Sequence, residues 1–195
     1  MKQIVVATNN KNKLKEIKDI LSIDGVEFLT LEDVGIDLDV EENMLTLKLN
    51  AEKKAKEYYE VCKLPVISED MGLFVDALDN MPGVHSKRWL DGTDEDRNEG
   101  ILSNLVGIEA HLRTARYMSC FSFFDGTNLI TCKGTCEGFI DTVISGDNGF
   151  AYDKIFIHES GKKISDMTVL QKNDISHRMD GLVNLKNELL RLNIV

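Results

Sequence analysis

The stretch Val66-Ile-Ser-Glu-Asp-Met-Gly-Leu-Phe-Val-Asp76 decides the fold, because it places two adjacent carboxylates inside an apolar run. The pattern predicts a short buried strand that ends at Glu69 and Asp70, turns at Gly72 and then resumes. A buried carboxylate must be paired or bound to a metal, and open α/β sheets bind ligands at the carboxyl ends of their strands. We therefore interpret the pair as a magnesium and general-base site. The alternative is a loop that begins with solvated acids.

The composition is typical of a single soluble domain. The chain has 195 residues, of which 43% are apolar and 29% charged, and its formal net charge is −10. We expect one domain over residues 1–195, with enough material for a core. The acidic balance argues against a nucleic-acid surface, which needs a basic stripe. No signal peptide precedes Ile4 and no apolar run approaches the ~18 residues of a membrane helix, so we expect a cytoplasmic protein without membrane contact.

The cysteines do not indicate a metal site. Cys62, Cys120, Cys132 and Cys136 lack the paired CxxC spacing of a zinc centre. We expect all four to be reduced thiols in a cytoplasm.

The N-terminal segment has the order strand, polar loop, helix. The run from Ile4 predicts a central buried strand, and Leu14, Ile17 and Leu21 follow at helical spacing. A helix N-terminus at a strand's end binds phosphate through free N–H groups, although the loop lacks the glycines of a Walker A sequence. The alternative is a plain turn with capping asparagines. The candidate phosphate-binding residues are Thr8, Asn9, Asn10, Lys11, Asn12 and Lys13.

The remaining elements follow from caps, periodicity and turns. The predicted strands cover Val26–Leu31, Arg113–Phe124 and Asn128–Ile140, and the last two form a hairpin around Asp125-Gly-Thr127. The predicted helices run from Thr46 to about Cys62, from Thr93 to about Val106, and from a cap at Ser176 to the C-terminal leucines. Lys54 lies on the apolar side of its helix, where a lysine either snorkels to the surface or points into a cleft.

Seven sequence blocks, in order and spacing, carry a family resemblance. They are Ala7-Thr-Asn-Asn-Lys-Asn-Lys13, Glu41-Glu42, Asn50-Ala-Glu-Lys-Lys-Ala55, Ser68-Glu-Asp-Met-Gly-Leu73, Pro82-Gly83 with Ser86, Gly149-Phe-Ala-Tyr-Asp153, and Lys172 with Ile175-Ser-His-Arg178. Along nearly its whole length the chain resembles the inosine triphosphate pyrophosphatase family, the XTP/dITP diphosphatases. The resemblance implies an α/β fold with an elongated mixed β-sheet flanked by helices and two lobes around a central cleft. It also implies a homodimer that uses Mg²⁺ to hydrolyse ITP, dITP and XTP to the monophosphate and pyrophosphate.

The resemblance also implies roles for individual residues. Asp70 matches the catalytic, metal-linked aspartate and Lys54 the lysine that contacts the triphosphate, whereas either Glu41 or Glu42 matches the acidic metal ligand. The loop from Thr8 to Lys13 matches the phosphate cradle. The residues that match those around the base and sugar are Phe150, Ala151, Tyr152, Asp153, Lys172, His177 and Arg178.

The chemistry of the side chains refines these roles. Asp70 or Glu69 can orient or deprotonate the attacking water. Arg178 is a donor only, so it favours the C6 oxygen of hypoxanthine over the amino group of adenine. Phe150 or Tyr152 can stack on the base, or pack in the core, and the alternative for His177 is a capping or core histidine.

Some positions depart from the family pattern. Met71 stands where the family usually has serine, so it offers the ligand only its backbone. Leu49, His85 and Lys154 also differ from the usual residues. Two other interpretations stay open: a pyrophosphatase for modified pyrimidine nucleotides on a similar fold, and a catalytically silent nucleotide-binding protein.

Overall fold

The protein, described by a computed structural model over residues 1–195, consists of seven strands and five α-helices joined by loops and short 3₁₀ turns. The strands are β1 (Lys2–Ala7), β2 (Val26–Thr30), β3 (Val66–Val75), β4 (Pro82–Gly83), β5 (Thr114–Phe124), β6 (Leu129–Ile140) and β7 (Phe156–His158). The helices are α1 (Lys11–Ile20), α2 (Leu47–Cys62), α3 (Asp94–Asn104), α4 (Val169–Ile175) and α5 (His177–Arg191). None of the helices is both long and apolar enough to cross a membrane.

The strands form one mixed sheet. Its order is β2-β1-β3-β5-β6-β7, with β4 paired to β3. The central position predicted for β1 is confirmed, because β1 pairs in parallel with both β2 and β3. The pairs β3–β4 and β6–β7 are antiparallel. The predicted α/β class with a mixed sheet and flanking helices is confirmed.

The helices begin where capping side chains satisfy their first N–H groups. Thr46 caps α2 by accepting from the N–H of Leu49. Thr93 caps α3 through a reciprocal capping box with Asp96. Both starts agree with the prediction, and α5 begins directly after Ser176.

The prediction that β3 ends at its two carboxylates is wrong. The strand runs without interruption from Val66 to Val75, so Glu69 and Asp70 lie in its middle. Gly72 does not turn the chain and has no positive φ. A Cβ at this glycine would stand 2.2 Å from the carbonyl oxygen of Gly83, so the glycine is there because β4 approaches closely.

Helix α4 has no counterpart among the predicted elements. This seven-residue helix begins inside the polar region of residues 165–174 and ends at Ile175, and Thr168 and Gln171 cap it reciprocally. One or two turns are too short to show a helical period in the sequence.

The chain divides into two compact units. The first unit comprises Met1–Asp70, Ser119–Gly134 and Arg178–Val195, and the second comprises Met71–Met118 and Thr135–His177. The first unit has two cores, one between α1, α5 and the sheet and one under α2. The second unit has one core, which includes Ile101, Tyr152 and Phe156. The expectation of a single domain stays a prediction.

Candidate functional site

The carboxylates of Glu69 and Asp70 are both buried in the first unit, with exposures of 3% and 4%. Successive side chains of a strand point to opposite faces, and these two contact different partners. Their chemistry therefore differs although their positions are adjacent.

Glu69 belongs to an ion-pair cluster. Its Oε1 lies 2.9 Å from Nε of Arg178, and its Oε2 lies 3.3 Å from Nζ of Lys13. Burial by itself would raise the pKa of this carboxyl, but the charges of Arg178, Lys13 and Lys54 outweigh burial and lower the pKa. An ionised carboxylate between two cations is a poor proton acceptor. The geometry thus gives Glu69 an anchoring role, and its role as a general base stays a prediction.

The pKa of Asp70 is shifted in the opposite direction from that of Glu69. Its Oδ2 accepts a hydrogen bond of 2.9 Å from Nδ2 of Asn50. Burial raises the pKa of Asp70, and the positive charge of Lys54 opposes this shift while the negative charge of Glu42 adds to it. A carboxylate with a raised pKa is suited to accept a proton from water. Two neighbouring acids whose pKa values are pushed apart are a common sign of divided acid–base roles.

Lys54 connects the strand to the acidic loop. Helix α2 turns its buried side toward β3, and Nζ of Lys54 donates to Oε1 of Glu42 and to the carbonyl oxygen of Glu69, both at 2.5 Å. The side chain of Lys54 is only 10% exposed. The interpretation of Lys54 as a snorkelling surface residue is therefore wrong.

Of the two candidate metal ligands in the acidic loop, Glu42 contacts Lys54 and Glu41 does not. Glu42 shares Lys54 with the backbone of β3 and acts electrostatically on Asp70. Glu41 instead accepts from Asn43 at 3.0 Å at an exposed position. The local geometry therefore favours Glu42 over Glu41 as the partner of Asp70.

The residues present fit a magnesium ion held largely by the substrate. No group of three or more His, Cys, Asp or Glu side chains gathers as a complete metal cage. Mg²⁺ usually keeps several waters and binds through one or two carboxylates plus substrate phosphates. Asp70 and Glu42 would supply two such oxygen ligands, and their mutual repulsion would be relieved by a cation.

The loop after β1 is organised by asparagine capping, as the alternative interpretation expected. Oδ1 of Asn10 accepts from the N–H groups of Asn12 at 3.0 Å and of Lys13 at 3.2 Å. Those two N–H groups are thus already bonded at the start of α1. Asn9 and Lys11 have exposed side chains, while Thr8 Oγ1 accepts from the N–H of Asn10.

Arg178 lies in the first unit and is 1% exposed. Its Nη1 lies 2.5 Å from Oε2 of Glu16, and its Nε pairs with Glu69. Burial acts to lower the pKa of Arg178, but the two carboxylates outweigh burial and raise it. The guanidinium therefore ties α5 to α1 and to β3, and its role as the base reader stays a prediction.

Sequence reasoning missed Glu16, and it named Asn50 only as the first residue of a family block, without a role. Glu16 follows Lys13 by three residues on α1, and both side chains reach the same cluster. Asn50 precedes Lys54 by four residues on the buried side of α2 and is 0% exposed. Helical spacing from the two predicted lysines was the available signal in both cases.

The second unit gathers the other candidate residues around Asp153. Oδ2 of Asp153 lies 2.8 Å from Nζ of Lys172 and accepts from the N–H of Phe150 at 2.8 Å. Nζ of Lys172 also lies 4.5 Å from the centroid of the Phe150 ring. The rings of His177 and Tyr117 stack with centroids 5.0 Å apart.

Two candidates of the second unit serve the core. Tyr152 is 4% exposed, and its hydroxyl donates to the carbonyl oxygen of Ser86 at 2.6 Å. Burial raises the pKa of Tyr152 to about 12. Met71 packs against the same core. The core-packing alternative therefore describes Tyr152, whereas Phe150 is half-buried.

The family model described as the Ham1 family matches residues 4–188 of the chain. The dITP/XTP pyrophosphatase of Haemophilus influenzae is 39% identical and covers 97% of this chain and 100% of its own length. The enzyme of the same name from Bacillus subtilis is 37% identical, with coverages of 97% and 98%. The structure of a HAM1 protein from Coxiella burnetii superimposes with a TM-score of 0.89 at 30% identity, and covers 98% of this chain and 100% of its own.

Proposed function

The chain belongs to the Ham1 family, and from that premise we propose that it is a nucleoside triphosphate pyrophosphatase. Its substrates are the non-standard purine nucleotides ITP, dITP and XTP, which it removes from the nucleotide pool. Its products are the nucleoside monophosphate and pyrophosphate. The proposal includes Mg²⁺ dependence, a homodimer and a cytoplasmic location.

The buried carboxylate of Asp70, which accepts from Asn50 at 2.9 Å on the strand that Lys54 ties to Glu42, is the observation that carries the proposal. Asp70, oriented by Asn50, takes the proton of the attacking water. Lys54 provides positive charge beside Asp70, and the lysines near β1 add to it for the anionic triphosphate. When bound at Asp70 and Glu42, Mg²⁺ would supply charge neutralisation of the phosphate oxygens.

The second unit supplies groups for the nucleoside. Phe150 is half-buried, and its ring is suited to stack on the base. Lys172 is fixed between that ring and Asp153, and His177 is held by its stack on Tyr117. We assign the contacts to base and sugar to these residues.

Product analysis tests the proposal. Phosphorus NMR of a reaction with ITP and Mg²⁺ should show pyrophosphate without an initial build-up of IDP. We expect kcat/KM for ITP to exceed that for ATP by a factor of at least about 10². This is the scale of discrimination when a buried donor such as the predicted base reader Arg178 faces the amino group of adenine instead of the C6 oxygen of hypoxanthine. IDP and orthophosphate as first products would contradict the proposal. Binding of ITP without turnover would favour the silent nucleotide-binding protein instead.

A further inference from the structure

Ala151 has an unusual backbone conformation at the segment assigned to the nucleoside. Its φ is +53°, in the left-handed region that residues with a Cβ rarely adopt. Such strain persists only where the surroundings impose it, and it collects at functional segments. The neighbouring Gly149, at φ +84°, has no such cost.

Helix α3 holds both polar groups of the Ala151 backbone. The N–H of Ala151 donates to Oδ2 of Asp94 at 3.0 Å, and Nδ2 of Asn98 donates to the carbonyl oxygen of Ala151 at 3.1 Å. Asp94 and Asn98 are four residues apart, so they project from the same side of the helix. The two side chains thus form a clamp on one residue.

The clamp has a rigid base. The capping box of Thr93 and Asp96 fixes the first turn of α3, and Ile101 anchors the helix in the core with 0% exposure. The carboxylate of Asp94 is further held by Nη2 of Arg97 at 2.7 Å. The positions of both clamp atoms are therefore determined by the fold of the second unit.

The buried side chain of Asn98 is unfavourable for stability, and packing alone does not explain why it is there. Its side chain is 1% exposed, and its Oδ1 has no hydrogen-bond partner in the protein. A buried polar atom without a partner is unfavourable, so an apolar side chain would serve the core better. The hydrogen bond to Ala151 is the one contribution of Asn98 that an apolar residue could not make.

We propose that Asp94 and Asn98 are positioning residues that hold Ala151 in the left-handed conformation and thereby set the direction of Phe150 for contact with the nucleobase. The N–H of Phe150 is fixed by Asp153 on one side, and the peptide that follows Phe150 is fixed by α3 on the other. This inference rests on the proposed function, because it assumes that Phe150 contacts the base.

The first test separates substrate binding from chemistry. Asn98→Ala and Asp94→Ala should each raise KM for ITP about tenfold, the scale set by the preference of an alanine to leave the left-handed region, while kcat changes less than about twofold. Asp94 is half exposed, so its variant tests the clamp even if Asn98→Ala fails to fold. Glu95→Ala and Glu99→Ala, which alter exposed acids of the same helix, are the matched controls and should leave KM unchanged.

The second test uses the strain itself. Glycine accepts the left-handed conformation without help, so in the Ala151→Gly background the loss of Asn98 should raise KM less than about threefold. A purely structural role of Asn98 predicts the same loss in both backgrounds. Equal losses, or an unchanged KM in both Asp94→Ala and Asn98→Ala, would overturn the proposal.

A third readout does not depend on activity. Hydrogen exchange at residues 149–153 should accelerate at least about tenfold in both clamp variants, because Asp94 holds the N–H of Ala151 and Asn98 holds its carbonyl oxygen. If the wild-type protein hydrolyses no purine nucleotide but the exchange result holds, the proposed function fails and the clamp survives. Unchanged hydrogen exchange in the two variants would instead contradict the inference that Asp94 and Asn98 hold Ala151.

Discussion

At the scale of single residues, the two acids of β3 show how partners rather than burial decide chemistry. Glu69 and Asp70 are equally buried, yet the pKa of Glu69 is lowered and that of Asp70 is raised. Glu69 faces Arg178 and Lys13, whose charges exceed the effect of burial, whereas Asp70 shares the charge of Lys54 with Glu42. Glu69 therefore anchors its cationic partners, whereas Asp70 is a buried carboxylate with a raised pKa, as is common at functional sites.

We expect Asp70→Asn to reduce kcat with ITP to less than about a tenth of the wild-type value without loss of the fold. A tenfold loss corresponds to an increase of ~1.4 kcal/mol in the activation free energy. The amide keeps the shape of the side chain but cannot accept the proton. It also removes a buried charge, so the midpoint of urea unfolding at pH 7 in metal-free buffer should not decrease. Retention of more than a tenth of the activity would show that Asp70 is not the principal catalytic group.

The amide variant of the adjacent acid is the matched comparison. Glu69→Gln leaves the buried guanidinium of Arg178 with one carboxylate fewer, and breaking one partner of a buried pair typically costs about 3–5 kcal/mol. We expect a clear fall in the free energy of unfolding in urea. Although Glu16 still pairs with Arg178, Asp70→Asn and Glu69→Gln should differ in stability even though they remove the same charge, because only Glu69→Gln breaks an ion pair with Arg178. Equal stabilities would contradict the anchoring role.

At the scale of elements, β3 stays continuous because β4 lies against it without a side chain between them. The missing Cβ of Gly72 leaves room for the carbonyl oxygen of Gly83, and the hydroxyl of Ser86 bonds both that oxygen and the N–H of Leu73. Gly72 therefore permits β4 to lie against β3 two residues after Asp70. The local sequence alone predicts a turn at this glycine, because the contact with Gly83 is not visible in it.

We expect Gly72→Ala to lower the free energy of unfolding by roughly 1–3 kcal/mol, the usual cost of overpacking, because the clash is with backbone. Gly100→Ala is the control. The atoms nearest to the added methyl at position 100 would be side-chain atoms of Leu90 and Trp89, at 3.0 and 3.1 Å, and alanine favours the helix by up to ~1 kcal/mol. Urea unfolding of both variants checks the comparison, and equal stability of Gly72→Ala and wild type would refute the close-approach role.

What the sequence could predict follows from the range of the interactions involved. The starts of α2 and α3 were predictable, because Thr46 and Thr93 act on N–H groups within three residues. The continuity of β3 depends on Gly83, eleven residues away in the chain, and α4 is too short to show a period. In the candidate site the family motifs singled out Lys54 and Asp70, whose catalytic roles stay predictions. The pairing of Arg178 with Glu16 was not predictable, because the two residues are 162 positions apart in the chain.

At the scale of the whole molecule, all four cysteines are free thiols, as expected, and each compact unit contains one that is deeply protected. Cys120 belongs to the first unit and Cys136 to the second. Burial raises the pKa of Cys120 to about 11 and that of Cys136 to about 12, from an ordinary value of 9.0. The thiolate is the reactive form, so the protein carries a native chemical probe in each unit.

We expect thiol labelling at pH 7.5 to divide the cysteines into two classes. Each pKa unit lowers the thiolate fraction tenfold, so Cys120 should react about 10² and Cys136 about 10³ times more slowly than an ordinary thiol. Cys62 and Cys132 are only partly buried and should react first. Timed labelling with iodoacetamide and peptide mass spectrometry measures all four rates, and unfolding in urea should make them equal. Native labelling of Cys136 as fast as Cys62 would show that the second unit opens often enough to expose its core, since burial is what suppresses both the contact of this thiol with reagent and its ionisation.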